Sequence, residues 1–231
     1  SRKKLLEKIN LDDIEPSSRK YPAIILTSER EAGDQILHIN NMSKSLDGEN
    51  LFSNFNLNVT KGDKIALISK NDLATSALYE ILNGFSESDT GDFKFGQTIT
   101  TGYLPNENEE FFNDQQSLID WLRQFSSNKD EVYIRGFLGK MLFSGEETFK
   151  MANVLSGGEK VRCMISRMML KGGNFLMLDE PTNHLDLESI QAFNNALINF
   201  PGTVIFTCHD HHFTQTVANR VVEITPNGCL D

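Results

Sequence analysis

Two short segments in the last third of the chain carry residue types that act on phosphate groups. The run LSGGE occupies residues 155–159, and one helix later the apolar run FLMLD at 175–179 ends in Asp179, which Glu180 follows. Acids at the carboxyl end of a buried parallel strand lie where open α/β folds bind ligands. There Asp179 would hold the water shell of a Mg²⁺ ion, and Glu180 would orient or deprotonate an attacking water. For an isolated Asp-Glu pair, the alternative is a loop start that caps the next helix.

The LSGGE run indicates a helix start that is also open to a phosphate group. Ser156 and Glu159 have the spacing of a capping box, so a well-capped helix is the simplest interpretation. The two glycines between them leave backbone N–H groups at the positive end of the helix dipole with no β-carbon in the way, which suits a γ-phosphate. Capping and phosphate contact are compatible. The residues of this candidate site are Leu155, Ser156, Gly157, Gly158 and Glu159.

The elements around these motifs alternate between strand-like and helix-like patterns, which predicts parallel strands joined by right-handed crossovers. Turn residues at Asp47-Gly48 separate two of the early strands, and Asn83-Gly84 ends the first helix. The predicted strands cover 36–39, 55–59, 64–69, a strand pair within 92–104, 175–179 and 203–208. The predicted helices cover 76–82, a helical region over 117–152, 157–171 and 186–200.

The composition limits the classes of function. The chain has 231 residues and a formal net charge of -10, which disfavours extensive contact of its whole surface with nucleic acid. Its three cysteines are too few and too irregularly spaced for a disulfide framework, so a reducing, cytoplasmic location is expected. No run of about 18 apolar residues occurs, so the sequence predicts no membrane span of its own.

Three motifs together resemble a known family. LSGGEKVR, LMLDEPTNHLD and FTCHDHHF, in this order and spacing, resemble the signature motif, the Walker B motif with its D-loop, and the switch histidine of ABC ATPases. The variant EPTNHLD resembles the ABC-F subgroup. The resemblance covers residue 36 to the end of the chain. It implies an α/β P-loop NTPase domain with a mostly parallel sheet core, an antiparallel β subdomain and a helical subdomain.

The resemblance also implies roles and partners. Glu180 and His209 would be the catalytic pair, with His209 contacting the γ-phosphate, and ATP with Mg²⁺ would be the ligand. The D-loop would consist of Asn183, His184, Leu185 and Asp186. ABC domains pair head to tail, so LSGGE would contact ATP held by a second cassette of the same polypeptide. The ABC-F subgroup implies a cytoplasmic translation factor with the ribosome as its partner.

The segment before the cassette has a different character. It is charged, contains proline and lacks a repeating apolar face, which indicates a helix end followed by an extended linker. By resemblance, residues 1–34 form the end of the linker between two cassettes, which makes this the C-terminal cassette. Residues 35–231 then form the nucleotide-binding domain, with the helical subdomain at about 112–160.

A metal site is the alternative for the histidine-rich segment. Its candidate ligands are Cys208, His209, Asp210, His211 and His212, with His184 from a separate loop. Successive residues of an extended segment point to opposite faces, so they cannot all converge on one ion. The switch histidine is therefore the preferred interpretation of His209.

The phosphate loop departs from the family pattern GxxxxGK[ST], in which glycines surround the phosphates and a lysine neutralises them. At that place the chain has Ser69, Lys70, Asn71, Asp72, Leu73, Ala74, Thr75 and Ser76. Thr75 takes the lysine position, Asp72 adds a repulsive carboxylate, and Ser76 alone keeps the type of a Mg²⁺ ligand. Lys70 lies in the opposite part of the loop.

Two further positions differ from the family. Asn106 replaces the Q-loop glutamine and is one methylene shorter, and Leu46 replaces the aromatic residue that stacks on adenine. The site within this chain is therefore degenerate by sequence, whereas LSGGE is intact. We expect an ATPase at the level of the full-length protein and a weak or inactive isolated domain. The alternatives are the ATPase subunit of a transporter and a non-catalytic regulatory cassette.

Overall fold

The computed structural model of the chain describes residues 20–231. The helix end expected near residue 1 lies outside the described residues. The strands are β1 (Leu37–Leu46), β2 (Glu49–Val59), β3 (Lys64–Ser69), β4 (Thr90–Phe95), β5 (Thr101–Leu104), β6 (Phe175–Asp179), β7 (Thr203–Thr207), β8 (Arg220–Thr225) and β9 (Gly228–Leu230). The α-helices are α1 (Asp72–Leu82), α2 (Leu118–Arg123), α3 (Glu131–Lys140), α4 (Gly157–Lys171), α5 (Leu187–Asn199) and α6 (His211–Val217).

A six-stranded sheet with the order β5-β6-β7-β3-β8-β9 forms the core. All of its pairs are parallel except β8 with β9. Every residue of β6 and β7 is buried, as expected for central strands that are covered on both faces. The carboxyl ends of β3, β6 and β7 therefore meet at one edge of the sheet. The predicted fold class, with a mostly parallel core, is confirmed.

A second sheet, with the order β2-β1-β4, is antiparallel. The predicted turn at Asp47-Gly48 joins β1 to β2, and both residues have positive φ (51° and 85°), as a tight hairpin requires. The predicted strand pair within 92–104 is wrong in its pairing. Both strands exist, but β4 pairs with β1 and β5 pairs with β6, because the chain turns at Gly96 and crosses between the sheets.

The predicted helical region consists of short pieces rather than long helices. Helix α2 begins after Ser117, whose hydroxyl accepts the Asp120 N–H. Trp121 is fully buried, stacks on Phe112 with ring centroids 4.6 Å apart, and donates its Nε1–H to a backbone carbonyl at 2.7 Å. Three 3₁₀ turns, at Glu109–Phe112, Gly145–Phe149 and Ala152–Val154, complete the region. Its boundaries as a subdomain stay a prediction.

Residues 20–34 pack against the domain without regular secondary structure. The prediction that this segment lacks a repeating apolar face is wrong over its described part, because Ile24 and Leu26 are both buried. The Ala23 N–H donates to the Lys140 carbonyl at 2.7 Å, which attaches the segment to the end of α3. Its role as the end of a linker stays a prediction.

In the described part of the chain, no helix has the length and apolar character needed to cross a bilayer.

Candidate functional site

Asp179 ends β6 at the edge of the sheet and is only 4% exposed. Its two carboxylate oxygens accept hydrogen bonds from Ser76 Oγ and Thr207 Oγ1, each at 2.9 Å. Burial raises the pKa of Asp179, and these two hydrogen bonds oppose the rise. A carboxylate beside a hydroxyl is a donor set that suits Mg²⁺. The structure therefore brings together Ser76 and Asp179, the two residues that the sequence predicts as metal ligands.

Glu180 follows in a left-handed backbone conformation with φ of 49°. Its backbone N–H donates to the Thr207 carbonyl at 3.1 Å. Its carboxylate accepts the His209 N–H at 3.2 Å, and the His209 ring Nε2 lies 3.4 Å from the other oxygen. Burial raises the pKa of Glu180, and the bond from the His209 N–H opposes this rise. The two predicted catalytic residues are thus in direct contact with each other.

The phosphate loop folds differently from the sequence prediction. Helix α1 begins at Asp72 instead of Ser76, because Asn71 caps it. The side chain of Asn71 accepts the Leu73 N–H at 3.0 Å, and its carbonyl accepts the Ala74 N–H at 3.0 Å. The Asn71 N–H itself donates to the Ser69 hydroxyl at 3.1 Å. Three N–H groups of the loop therefore have partners within the chain.

The charges at this loop also disfavour a phosphate group. Thr75, at the lysine position, is 4% exposed, and its hydroxyl donates to the Asp72 carbonyl at 2.8 Å. A cavity of about 70 Å³ lies between this loop and Glu180. Lys70 is exposed and lines a neighbouring cavity with Glu49. The loop therefore lacks the lysine charge of the family pattern, and its degeneracy as a nucleotide site stays a prediction.

Three positions of the predicted nucleotide site remain to be placed. Leu46 ends β1 and is 45% exposed, and Leu73 is 53% exposed at the start of α1. Asn106 lies beyond the end of β5, and its side-chain oxygen accepts a hydrogen bond from Asn183 at 3.0 Å. Asn106 is thus next to a D-loop residue.

The LSGGE segment has the predicted geometry. Ser156 caps α4: its hydroxyl accepts the Glu159 N–H at 3.3 Å, and the Glu159 carboxylate accepts the Ser156 N–H at 2.9 Å. Lys150 lies 2.8 Å from the other Glu159 oxygen and lowers the pKa of this carboxyl group. Gly157 is exposed at the helix start, where a helix provides no partner for its first N–H groups. Leu155 is buried, so its side chain packs in the protein interior.

Gly157 and Gly158 lie directly against the predicted D-loop of the same chain. His184 has φ of 64°, and its side chain is exposed. A β-carbon added to Gly158 would lie 2.6 Å from the His184 carbonyl oxygen, and one added to Gly157 would lie 3.4 Å from the His184 ring. Leu185 is half-buried, and Asp186 caps α5 by accepting the Ser189 N–H at 2.7 Å. The glycine at 158 is therefore required by packing within the chain.

Thr207 is a site residue that the sequence analysis missed. It bonds both Asp179 and the Glu180 backbone. Its position could have identified it. Thr207 ends β7, the strand beside β6, and residues at the carboxyl ends of neighbouring parallel strands lie close together. The contact between Gly158 and His184 had no signal in the sequence, because it depends on how two loops approach in space.

Comparison with known proteins gives consistent relatives. The model of the family described as ABC transporter matches residues 52–183. The Bacillus subtilis (strain 168) protein named Uncharacterized ABC transporter ATP-binding protein YkpA is 55% identical over 233 residues, which covers 100% of this chain and 43% of that protein. Energy-dependent translational throttle protein EttA of Escherichia coli (strain K12) is 29% identical over 202 residues, 86% of this chain and 36% of that protein.

A solved dimer of a bacterial ABC transporter cassette has the same fold. It superposes with a TM-score of 0.72 at 16% sequence identity, covering 85% of this chain and 97% of that chain. The chain spans less than half the length of the two relatives named above.

Replacing Gly157 or Gly158 by alanine should change the free energy of unfolding by different amounts. We expect Gly158→Ala to lower the free energy of unfolding by about 1–3 kcal/mol, because its β-carbon meets a backbone oxygen that cannot move freely. Gly157→Ala should change it by less than about 1 kcal/mol, since the nearest atoms allow ordinary contact and alanine favours the helix. Urea unfolding of both variants measures this. Equal losses would contradict the assigned D-loop packing.

Proposed function

The chain belongs to the ABC transporter family as one of its ATP-binding cassette domains, and on that premise we propose that it lends its LSGGE segment to ATP held by a second cassette. In this proposal its own phosphate loop does not hold a nucleotide. The pair of cassettes hydrolyses ATP at the composite site formed by LSGGE of this chain and the phosphate loop of the other cassette.

The observation that carries the proposal is the contrast between two helix starts. At α1, Asn71 uses its side chain and carbonyl to bind two N–H groups of the loop. At α4, Ser156 likewise binds two N–H groups, one with its hydroxyl and one with its carbonyl. The residues after the cap differ: the glycines after Ser156 have no side chains to cover their N–H groups, whereas Asp72 places a carboxylate at the start of α1. Backbone N–H groups at a helix start stabilise negative charge. In this proposal α4 therefore offers such groups to a phosphate from outside the chain, and α1 does not.

The absence of the family's lysine, whose position is taken by Thr75, also weakens phosphate binding by the loop of this chain. A charge-assisted hydrogen bond to phosphate contributes about 1.5–3 kcal/mol, so its loss weakens binding by roughly one to two decades. Asp72 adds a carboxylate at the start of α1, where a phosphate would be repelled. Mg²⁺, which would neutralise phosphate oxygens in a bound complex, has suitable ligands in Ser76 and Asp179 but no phosphate cradle beside them.

At the composite site, this chain would contribute positioning and charge stabilisation. The N–H groups of Gly157 and Gly158 would donate to oxygens of the γ-phosphate as negative charge develops there. The Ser156 hydroxyl, held at the same helix start, would add a further donor. In this proposal the site of this chain holds no nucleotide, so Glu180 and His209, which contact each other there, have no nucleotide to act on.

The most direct test compares substitutions at the two sites in the full-length protein. Gly157→Trp should lower the rate of ATP hydrolysis by roughly a hundredfold or more, because it blocks donors that stabilise the transition state. Thr75→Val should change the rate by less than about twofold, since Thr75 only bonds its own helix. A steady-state phosphate-release assay measures both. Equal or reversed effects would contradict the proposal.

We further propose that the parent is a tandem-cassette ABC-F protein that acts on the ribosome in the cytoplasm. The support is the EPTNHLD sequence and the similarity to proteins named as a translational throttle and as an ABC transporter F family member, the latter from Arabidopsis thaliana at 28% identity over 231 residues. The relatives are more than long enough to hold a second cassette, with this chain covering 43% of YkpA.

The partner can be identified by fractionation of cell extracts. We expect the full-length protein to sediment with ribosomes in the presence of a slowly hydrolysed ATP analogue, because nucleotide-driven closure would create the bound state. Sedimentation with membranes instead would favour the ATPase subunit of a transporter. A protein that binds neither would favour a regulatory cassette.

A further inference from the structure

Asn106 and Asn183 join two loops that face different sites. Asn106 follows β5, at the place where the family carries its Q-loop glutamine, and Asn183 lies in the D-loop after β6. The Asn183 Nδ2 donates to the Asn106 Oδ1 at 3.0 Å. The Asn106 Oδ1, the atom that would otherwise be directed toward a metal ion, therefore accepts a hydrogen bond from the D-loop.

The main chain of Asn106 lies beside the end of β6. Its backbone N–H faces the Asp179 carboxylate and opposes the rise of the pKa of that group. Asn106 is half-buried, whereas Asn183 is exposed. Asn106 thus lies beside the end of the buried strand and contacts the exposed D-loop through its side chain.

The D-loop continues from this hydrogen bond to the signature segment. The residue after Asn183 is His184, whose φ of 64° directs its backbone carbonyl toward Gly158 and its ring toward Gly157. The approach is close enough that a β-carbon at Gly158 would lie 2.6 Å from the carbonyl oxygen. A shift of Asn183 would therefore move atoms that touch the phosphate-binding end of α4.

We infer that Asn106 is a positioning residue that holds the D-loop against Gly157 and Gly158, and so sets the geometry of the phosphate donors offered to the second cassette. The shorter side chain suits this positioning role, because a glutamine would carry its oxygen about 1.5 Å further and past Asn183. The inference rests on the proposed function, because its effect is felt at the composite site.

A double-mutant cycle in the full-length protein tests the inference. Asn106→Ala and Asn183→Ala should each lower kcat for ATP hydrolysis roughly two- to tenfold, the equivalent of one hydrogen bond. KM for ATP should stay within about twofold, because the nucleotide is held by the other cassette. The double variant should be no slower than the slower single variant, since both remove the same interaction. Asn195→Ala, on the exposed face of α5, is the matched control and should leave kcat unchanged.

Asn106→Gln separates positioning from metal contact. The inference expects it to lower kcat as Asn106→Ala does, whereas a residue that contacts a metal would keep or raise kcat with the family's glutamine. A loss in Asn106→Ala without a loss in Asn183→Ala would also overturn the inference. If both variants keep full kcat while Gly157→Trp abolishes hydrolysis, the inference fails and the proposed function stands. If Gly157→Trp keeps full activity, the proposed function itself fails.

Discussion

The buried carboxylate of Asp179 is the group on which the arrangement of the site depends. A buried charge is costly unless it is hydrogen-bonded, and this one accepts bonds from hydroxyls on two neighbouring elements. Ser76 belongs to α1 and Thr207 to β7, so these bonds fix the helix and the strand relative to β6. Thr207 then holds the Glu180 backbone, and the Glu180 carboxylate accepts the His209 N–H. The positions of Glu180 and His209 therefore depend on this cluster.

The proposed function depends on a second feature, the residues at the starts of helices α1 and α4. Both α1 and α4 are capped by a polar side chain, Asn71 in one case and Ser156 in the other. Each capping residue also accepts a second N–H group with its backbone carbonyl. The two starts differ in the residue that follows the cap, Asp72 in α1 and Gly157 in α4, and the proposed difference in phosphate binding rests on these residues.

Much of the fold could be predicted from the sequence, because local signals were strong. The capping box and apolar spacing predicted the bounds of α4, and Asp47-Gly48 identified the hairpin. The start of α1 was predicted too late, because the loop was aligned to a family motif while Asn71 carried a cap signal of its own. Which sheet β4 and β5 join could not be predicted, since strand periodicity does not specify a neighbour. The contact of His184 with the signature glycines required the structure.

The central claim is that the phosphate loop of this chain does not hold a nucleotide, and calorimetric titration of the chain with Mg-ATP tests it most directly. Without a second cassette, the titration reports only the loop that precedes α1. The account predicts no detectable binding heat up to about 1 mM ATP, a concentration that corresponds to about 4 kcal/mol of binding free energy. Binding with a dissociation constant in the micromolar range would contradict it, because the loop would then bind phosphate despite Asn71, Asp72 and Thr75.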